Sequence, residues 1–219
     1  MNEEIVYRPD PVGTKKLTWT SKFLIAVLLG TTVGWVAPEI GKRILPSQQG
    51  GAFLTVRNNT IEGRLLLNKN YFFEVKRQLE RAEESIRLMM YVFRINTENG
   101  GRDPALQLAN VLRKKASDGV DVKVILSSTK KSSHIRQTNT ETARYLSAGG
   151  VKTKVELIPD RIHAKFVLID ENRMFISNHN WTWPSLLFNE EAAVYFEGRG
   201  IQKEVAARTR EVFRRVFAG

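Results

Sequence analysis

The sequence predicts an α/β fold, a mixed β-sheet flanked by helices, behind an N-terminal hydrophobic anchor helix. Three observations predict it. Apolar runs rich in strand formers alternate with amphipathic stretches between residues 71 and 156. Strand-like segments then follow one another up to Phe196, and an amphipathic segment closes the sequence. A separate long apolar run occupies residues 17–37.

That run, "LTWTSKFLIAVLLGTTVGWVA", has a charge-free core from Phe23 to Pro38. The core is shorter than the roughly 20 residues of a spanning helix, and the flank back to Leu17 restores that length with Lys22 able to snorkel. Trp19 and Trp35 stand near its two ends, where interfacial aromatics belong. No clean small-x-small cleavage site follows, so a single uncleaved anchor is preferred to a signal peptide, and a buried core helix ranks third. Lys15, Lys16 and Lys22 flank one end and Lys42 and Arg43 the other. The side of the membrane that the domain faces therefore stays open. The expected organisation is a tail and membrane segment over 1–45, a linker over 46–52 around "PSQQGG", and a catalytic domain over 53–219.

Within the domain, "AFLTVRNNT" can supply an early strand. "NKNYFFEVKRQLERAEES" places Phe72, Val75, Leu79 and Ala82 at helical spacing. "SIRLMMYVF" is a continuous apolar run, the pattern of a buried strand. "PALQLANVLRKKASDG" opens with Pro104 at a first helical position, keeps Leu108, Val111 and Leu112 on one side and stops at Gly119. "VDVKVILSS" alternates as a strand. "TKKSSHIRQTNT" reads as a polar, basic loop, "ETARYLSAGG" as a short helix and "VKTKVELI" as a strand. "HAKFVLID" and "RMFISNHN" read as two strands joined by the tight turn Glu171-Asn172-Arg173, and "EEAAVYFEG" as a further strand. In the closing helix Val205, Val212, Phe213 and Val216 are expected to turn inward.

The net charge is +11, of which residues 1–50 carry +2 and residues 51–219 the remaining +9. A domain this basic attracts polyanions, either nucleic acid or an anionic membrane surface. There is no cysteine, which excludes disulfides, thiolate nucleophiles and cysteine-based zinc sites. The three histidines, His134, His163 and His179, lack H-E-x-x-H spacing, so no metal and no cofactor is expected.

"RIHAKFVLIDENRMFISNHNWT", residues 161–182, concentrates the chemistry. If residues 162–169 form a strand, His163 and Lys165 share a face, whereas Asp170 has the other parity and serves the strand end or the turn. Asn178 and Asn180 share a face on the next strand. An imidazole, an ammonium and two carboxamides on one surface suit a phosphodiester. The imidazole can attack phosphorus or move a proton, and the ammonium and carboxamides can hold the non-bridging oxygens. These residues alone leave catalysis and an ordinary hydrogen-bonded histidine both open.

"HAKFVLID" is H-x-K-x-x-x-x-D, "SNHNWT" stands where G-S-x-N-aromatic-Thr would follow, and "NEE" (Asn189, Glu190, Glu191) supplies N-x-E. In this pattern the chain resembles the phospholipase D superfamily over roughly residues 60–217, and its single signature resembles the Nuc-type endonucleases and the membrane-anchored Zucchini-like members. The resemblance implies a phospholipase D-like layered sandwich and a homodimer that shares one active site. It implies His163 as nucleophile through a covalent phosphohistidine. The partner's His163 would protonate the leaving oxygen, and Lys165 and Asn180 would hold phosphate oxygens. It further implies that Glu191 orients neighbouring groups and that Asp170 braces the signature strand. Asn178 stands in place of the family serine and cannot mimic a hydroxyl. His179, of opposite parity to Asn180, is structural or exposed.

Lys130, Lys131, His134 and Arg136 lie after a strand and can rim a ligand site, where nucleic-acid backbone contacts are balanced against a merely solvated basic loop. The expected function is a metal-independent phosphodiesterase, a nuclease acting on DNA or RNA. The alternatives are a phospholipid hydrolase, for example of cardiolipin, and a non-catalytic nucleic-acid or membrane binder.

Overall fold

A computed structural model describes residues 55–57, 61–129, 132–156, 162–201 and 205–218. The expected anchor over 17–37, the linker over 46–52, and Lys130 and Lys131 lie outside the described residues. Among the described residues no helix is long and apolar enough to cross a membrane.

Among the described residues eight strands and five α-helices follow in the order β1 (Thr55–Arg57), β2 (Glu62–Leu67), α1 (Asn70–Glu80), β3 (Ser85–Met90), α2 (Pro104–Ser117), β4 (Asp121–Ser127), α3 (Ser133–Ser147), β5 (Lys152–Glu156), β6 (Lys165–Ile169), β7 (Arg173–Ser177), α4 (Trp183–Leu187), β8 (Ala192–Glu197) and α5 (Val205–Ala218). They build one mixed sheet of spatial order β1-β2-β8-β7-β6-β3-β4-β5. β3, β4 and β5 run parallel, joined through α2 and α3, and every other neighbouring pair is antiparallel.

The period of two in the strands decides which helices each face receives. Ile86, Leu88 and Met90 of β3, Val122, Val124 and Leu126 of β4, and Val167 and Ile169 of β6 form the larger core with Val75 and Leu79 of α1 and Leu108 and Leu112 of α2. The opposite face meets α5. Ala206 packs near Leu168 and Met174, and Phe213 packs on Ile125. α2 begins where expected because the Asp103 carboxylate caps it by accepting from Leu106 N at 2.7 Å, with Pro104 first in the helix. It ends at Ser117, and the chain leaves it through Gly119, whose φ of +93° suits a residue without Cβ.

Five expectations change. The strand expected over residues 173–180 ends at Ser177, so Asn178 and Asn180 lie beyond it and do not share a strand face. β6 starts at Lys165 rather than at residue 162, because the β3 groups beyond Met90 are taken elsewhere: Tyr91 O and Phe93 N by Asn139, and Val92 O by Trp181 N. The polar segment after β4 is the first half of α3. Ser132 caps that helix by accepting from Ile135 N at 3.3 Å, and its inward stripe is Thr138, Asn139, Thr142 and Leu146, which hydrophobic periodicity does not reveal. β2 and α4 were not anticipated. In α5 the inward residues are Ala206, Thr209 and Phe213, spaced three and four apart, while Val205 and Val212 flank that stripe and are 36% exposed.

Candidate active site

Antiparallel pairing sets the start of β6 beside the ends of β3 and β4. The same logic brings the end of β7, the start of β8 and the end of β2 to that end of the sheet. His163, Lys165, Asn178, Asn180 and Glu191 are therefore gathered at one end by topology, although their helix and strand neighbours come from the whole domain.

Lys165 is the first residue of β6, opposite Met90, and only 8% exposed. Its stem lies in the apolar layer and its ammonium turns back to the preceding segment. Nζ donates to the His163 carbonyl at 3.1 Å and lies 3.3 Å from both Nδ1 and Nε2 of the imidazole. Equal distances mean that the ammonium does not favour one ring nitrogen over the other. The His163 side chain is exposed at this end. Its ring centroid lies 4.5 Å from that of Tyr91, tilted by 51°, and Nζ of Lys165 lies 5.1 Å from the same phenol ring, within cation–π range.

Asn180 arrives through the chain beyond β7. Trp181 N donates to Val92 O at 3.0 Å, and Arg94 N donates to Trp181 O at 2.9 Å, so this segment pairs with the tail of β3. The Trp181 indole is fully buried, edge-on to Phe93, and donates to the Tyr71 hydroxyl at 3.0 Å. Beside it, Oδ1 of half-buried Asn180 is shielded from solvent and meets no donor among the described residues. Asn178 behaves differently. Its Oδ1 accepts from Ala192 N at 2.9 Å and its own N donates to Ala192 O, so the residue in place of the family serine extends the β7–β8 contact with its carboxamide oxygen.

Glu191 lies behind this rim. Its carboxylate accepts from Ser185 Oγ at 2.8 and 2.9 Å and from Asn189 Nδ2 at 2.8 Å, and its Oε2 is 3.9 Å from Nδ1 of His179. His179 is fully buried, stacked on Tyr71 at 4.4 Å, with Nε2 3.2 Å from the Asn68 carbonyl. Burial pulls the His179 imidazole below its ordinary pKa, against the opposing pull of Glu191 and Asn68. Burial also pushes the Tyr71 phenol up to about 12. Asn68, at φ +53°, closes this corner: its Oδ1 accepts from Glu191 N and its Nδ2 donates to Glu190.

Asp170 is at the other end of β6. Its carboxylate accepts from Ser85 N at 2.9 Å, Glu84 N at 2.8 Å and Glu83 N at 3.1 Å, and it pairs with Arg173. Burial raises its pKa, but the three backbone donors and Arg173 outweigh that and hold it below the usual carboxylate range. Arg136 and His134 are exposed in the first turn of α3, the helix that follows the site end of β4. Among the described residues no group of three histidine or acidic side chains is placed to hold a metal ion.

Sequence reasoning missed Tyr91, Asn139, Asn68 and Ser185. An aromatic residue closing an apolar run hinted at Tyr91, and Asn139, Thr142 and Leu146 at helical spacing hinted at an inward polar stripe.

Residues 75–217 match the family model described as cardiolipin synthase, PLD-like domain. The chain thus belongs to the phospholipase D superfamily. None of the curated proteins compared with it matches. Among solved structures it is similar to a phospholipase D family member, Nuc from Salmonella typhimurium, at 17% identity and a TM-score of 0.56 over 71% of this chain and 95% of that one. NucT from Helicobacter pylori is 16% identical, with a TM-score of 0.51 over 72% and 96%. The phosphatidylserine synthase of Haemophilus influenzae is 9% identical, with a TM-score of 0.50 over 77% and 42%. At these identities the solved structures speak for the fold.

Proposed function

We propose that this protein is a phosphodiesterase that cleaves nucleic acid through a covalent phosphohistidine on His163, at a site shared by two protomers. The observation that carries the reading is the exposed imidazole of His163 with the buried Lys165 ammonium 3.3 Å from both its nitrogens. A ring nitrogen attacks phosphorus, the bond to the leaving oxygen breaks, and that oxygen takes a proton from the partner's His163. Water then attacks the phosphohistidine, its proton passes to the partner's His163, and His163 leaves as free imidazole. Lys165 and Asn180 hold the non-bridging oxygens as charge builds on them. The charge of +9 on residues 51–219 and the exposed Arg136 near the site favour a polyanionic substrate. Nuc and NucT, which share the fold at nearly full length, are consistent with a nuclease.

A second copy is also supported by an apolar row beside the site. Phe166, Ile176 and Val194 are cross-strand neighbours on one sheet face, and Ile176 is 43% exposed although β7 is an interior strand. Pairing of two copies over this face would cover it and bring two His163 imidazoles toward one phosphate.

A phospholipid diester is the second reading. Phe188, 71% exposed and three residues before Glu191, favours it, as does the cardiolipin synthase family model. The test is a cleavage panel of labelled single- and double-stranded DNA and RNA and of phospholipid vesicles, all in EDTA, with wild-type protein beside His163→Ala. Cleavage of nucleic acid by wild type alone is expected. Cleavage of lipid alone establishes the second reading, and intact substrates throughout would sink both.

A further inference from the structure

His163 lies before the first ladder residue of β6, so regular strand pairing does not set the direction of its ring. Such an imidazole turns about its side-chain bonds unless a neighbour restrains it, and a nucleophile misplaced by about 1 Å loses on the order of a hundredfold in rate. One such neighbour is the ring of Tyr91, at 4.5 Å, and the same phenol ring lies 5.1 Å from the Lys165 ammonium.

Tyr91 is itself held by the main chain. Asn139, fully buried on the inward side of α3, directs its whole carboxamide at this place: Oδ1 accepts from Phe93 N at 2.9 Å, and Nδ2 donates to Tyr91 O and Ser127 O, each at 2.8 Å. Thr142 adds a bond from its hydroxyl to Phe93 O at 2.6 Å. A buried carboxamide in mid-helix is costly unless its polar atoms are bonded, and here they are bonded to the tail of β3 and the end of β4. The tail so fixed meets both parts of the site. Tyr91 touches His163 and Lys165, while Val92 and Arg94 pair with Trp181, next to Asn180.

We propose that Tyr91 is a positioning residue of this site. Its ring, fixed by Asn139 and Thr142 through the backbone, walls the His163 imidazole and the Lys165 ammonium into one arrangement. The inference rests on the reading of His163 as nucleophile. The ring face does this work, so phenylalanine can replace tyrosine and an aliphatic side chain cannot.

The test compares the full-length wild type, Tyr91→Phe, Tyr91→Leu and His163→Ala. Each is assayed for turnover of bis(p-nitrophenyl) phosphate, melted thermally, and examined by NMR at the His163 ring proton bound to Cε1. The expected result for Tyr91→Leu is a kcat lower by about tenfold to a hundredfold with KM within about twofold. Its melting temperature should match that of Tyr91→Phe, and the His163 proton should lose the ring-current shift of its aromatic neighbour. Tyr91→Phe should keep both kcat and shift. A Tyr91→Leu protein with wild-type kcat overturns the proposal, and so does one whose kcat falls only together with its melting temperature. If His163→Ala turns over substrate like wild type, the nucleophile reading fails instead. The NMR shift then still reports whether Tyr91 orders the ring.

Discussion

His163 and Asp170, the first and last residues of the H-x-K-x-x-x-x-D signature, stand at opposite ends of β6, roughly 20 Å apart at about 3.3 Å per strand residue. Asp170 therefore acts on the scaffold. It gathers the amides of Glu83, Glu84 and Ser85, where the chain enters β3, and holds Arg173, which also bonds Gln78 of α1.

Asp170→Ala should lower stability without altering the chemistry. It leaves the guanidinium of Arg173, whose side chain is 8% exposed, without its carboxylate, a change that costs about 3–5 kcal/mol. Urea unfolding should show the loss, while kcat per folded molecule stays within about threefold of wild type, since ΔΔG of distant sites adds independently. The pH dependence follows from a folded-state pKa below the unfolded value. The contribution is complete above about pH 4 and is lost as pH falls through the folded pKa. A wild-type acid-unfolding profile that matches that of Asp170→Ala would refute this assignment.

Lys165→Met separates charge from packing. The lysine stem is buried beside Met90 and Tyr91, and methionine fills nearly the same volume without the ammonium. The melting temperature should stay close to wild type, while phosphodiester turnover falls by about 10²–10³, the usual loss when one donor to a developing anion is removed. Full turnover in Lys165→Met would mean that Asn180 and the backbone hold the phosphate without it.

Much of this was legible in the sequence because the relevant patterns are local. Alternation in "VDVKVILSS" and the apolar run "SIRLMMYVF" gave β4 and β3, and Pro104 and Gly119 bracketed α2. The resemblance carried by residues 163–191 pointed to the side chains that the sheet then gathers at one end. What stayed hidden depends on tertiary contact. The start of α3 turns threonine and asparagine inward, so no hydrophobic period marks it. The strand expected from residue 162 begins at Lys165 because Asn139, far along the chain, takes the β3 groups that would have continued the ladder. Tyr91 looked like one more apolar residue of a strand until the fold set its ring against His163.

His179 gives the protein a pH-dependent stability distinct from its activity. Its buried imidazole is held neutral, with Nε2 facing the Asn68 carbonyl and the ring stacked on Tyr71. As pH falls below about 6.5 the unfolded chain takes up a proton that the folded chain resists, so stability falls with pH from there down to the folded pKa. His179→Phe keeps the stack and removes the titration, and Tyr71 N still bonds the Asn68 carbonyl. Between pH 8 and pH 5.5 the urea midpoint of wild type should drop more than that of His179→Phe. Equal drops would place the titrating group elsewhere.

A shared site predicts how mixed protomers behave. If each phosphate needs His163 from both copies, a dimer with one His163→Ala protomer is inactive. Wild type and His163→Ala unfolded together at equal amounts and refolded should then keep about one quarter of the activity of an all-wild-type sample, the random fraction of fully wild-type pairs. Independent sites would keep about one half, because each wild-type protomer then works whatever its partner. Mixing without unfolding supplies the control, since preformed dimers should start at one half and fall toward one quarter only as fast as protomers exchange. Replacing Ile176, the exposed member of the apolar row beside the site, with lysine should weaken the pairing by placing like charges on both copies. Sedimentation would show that variant as a monomer, and its activity should recover as protein concentration rises. A monomeric Ile176→Lys protein with full activity at every concentration would end the shared-site reading.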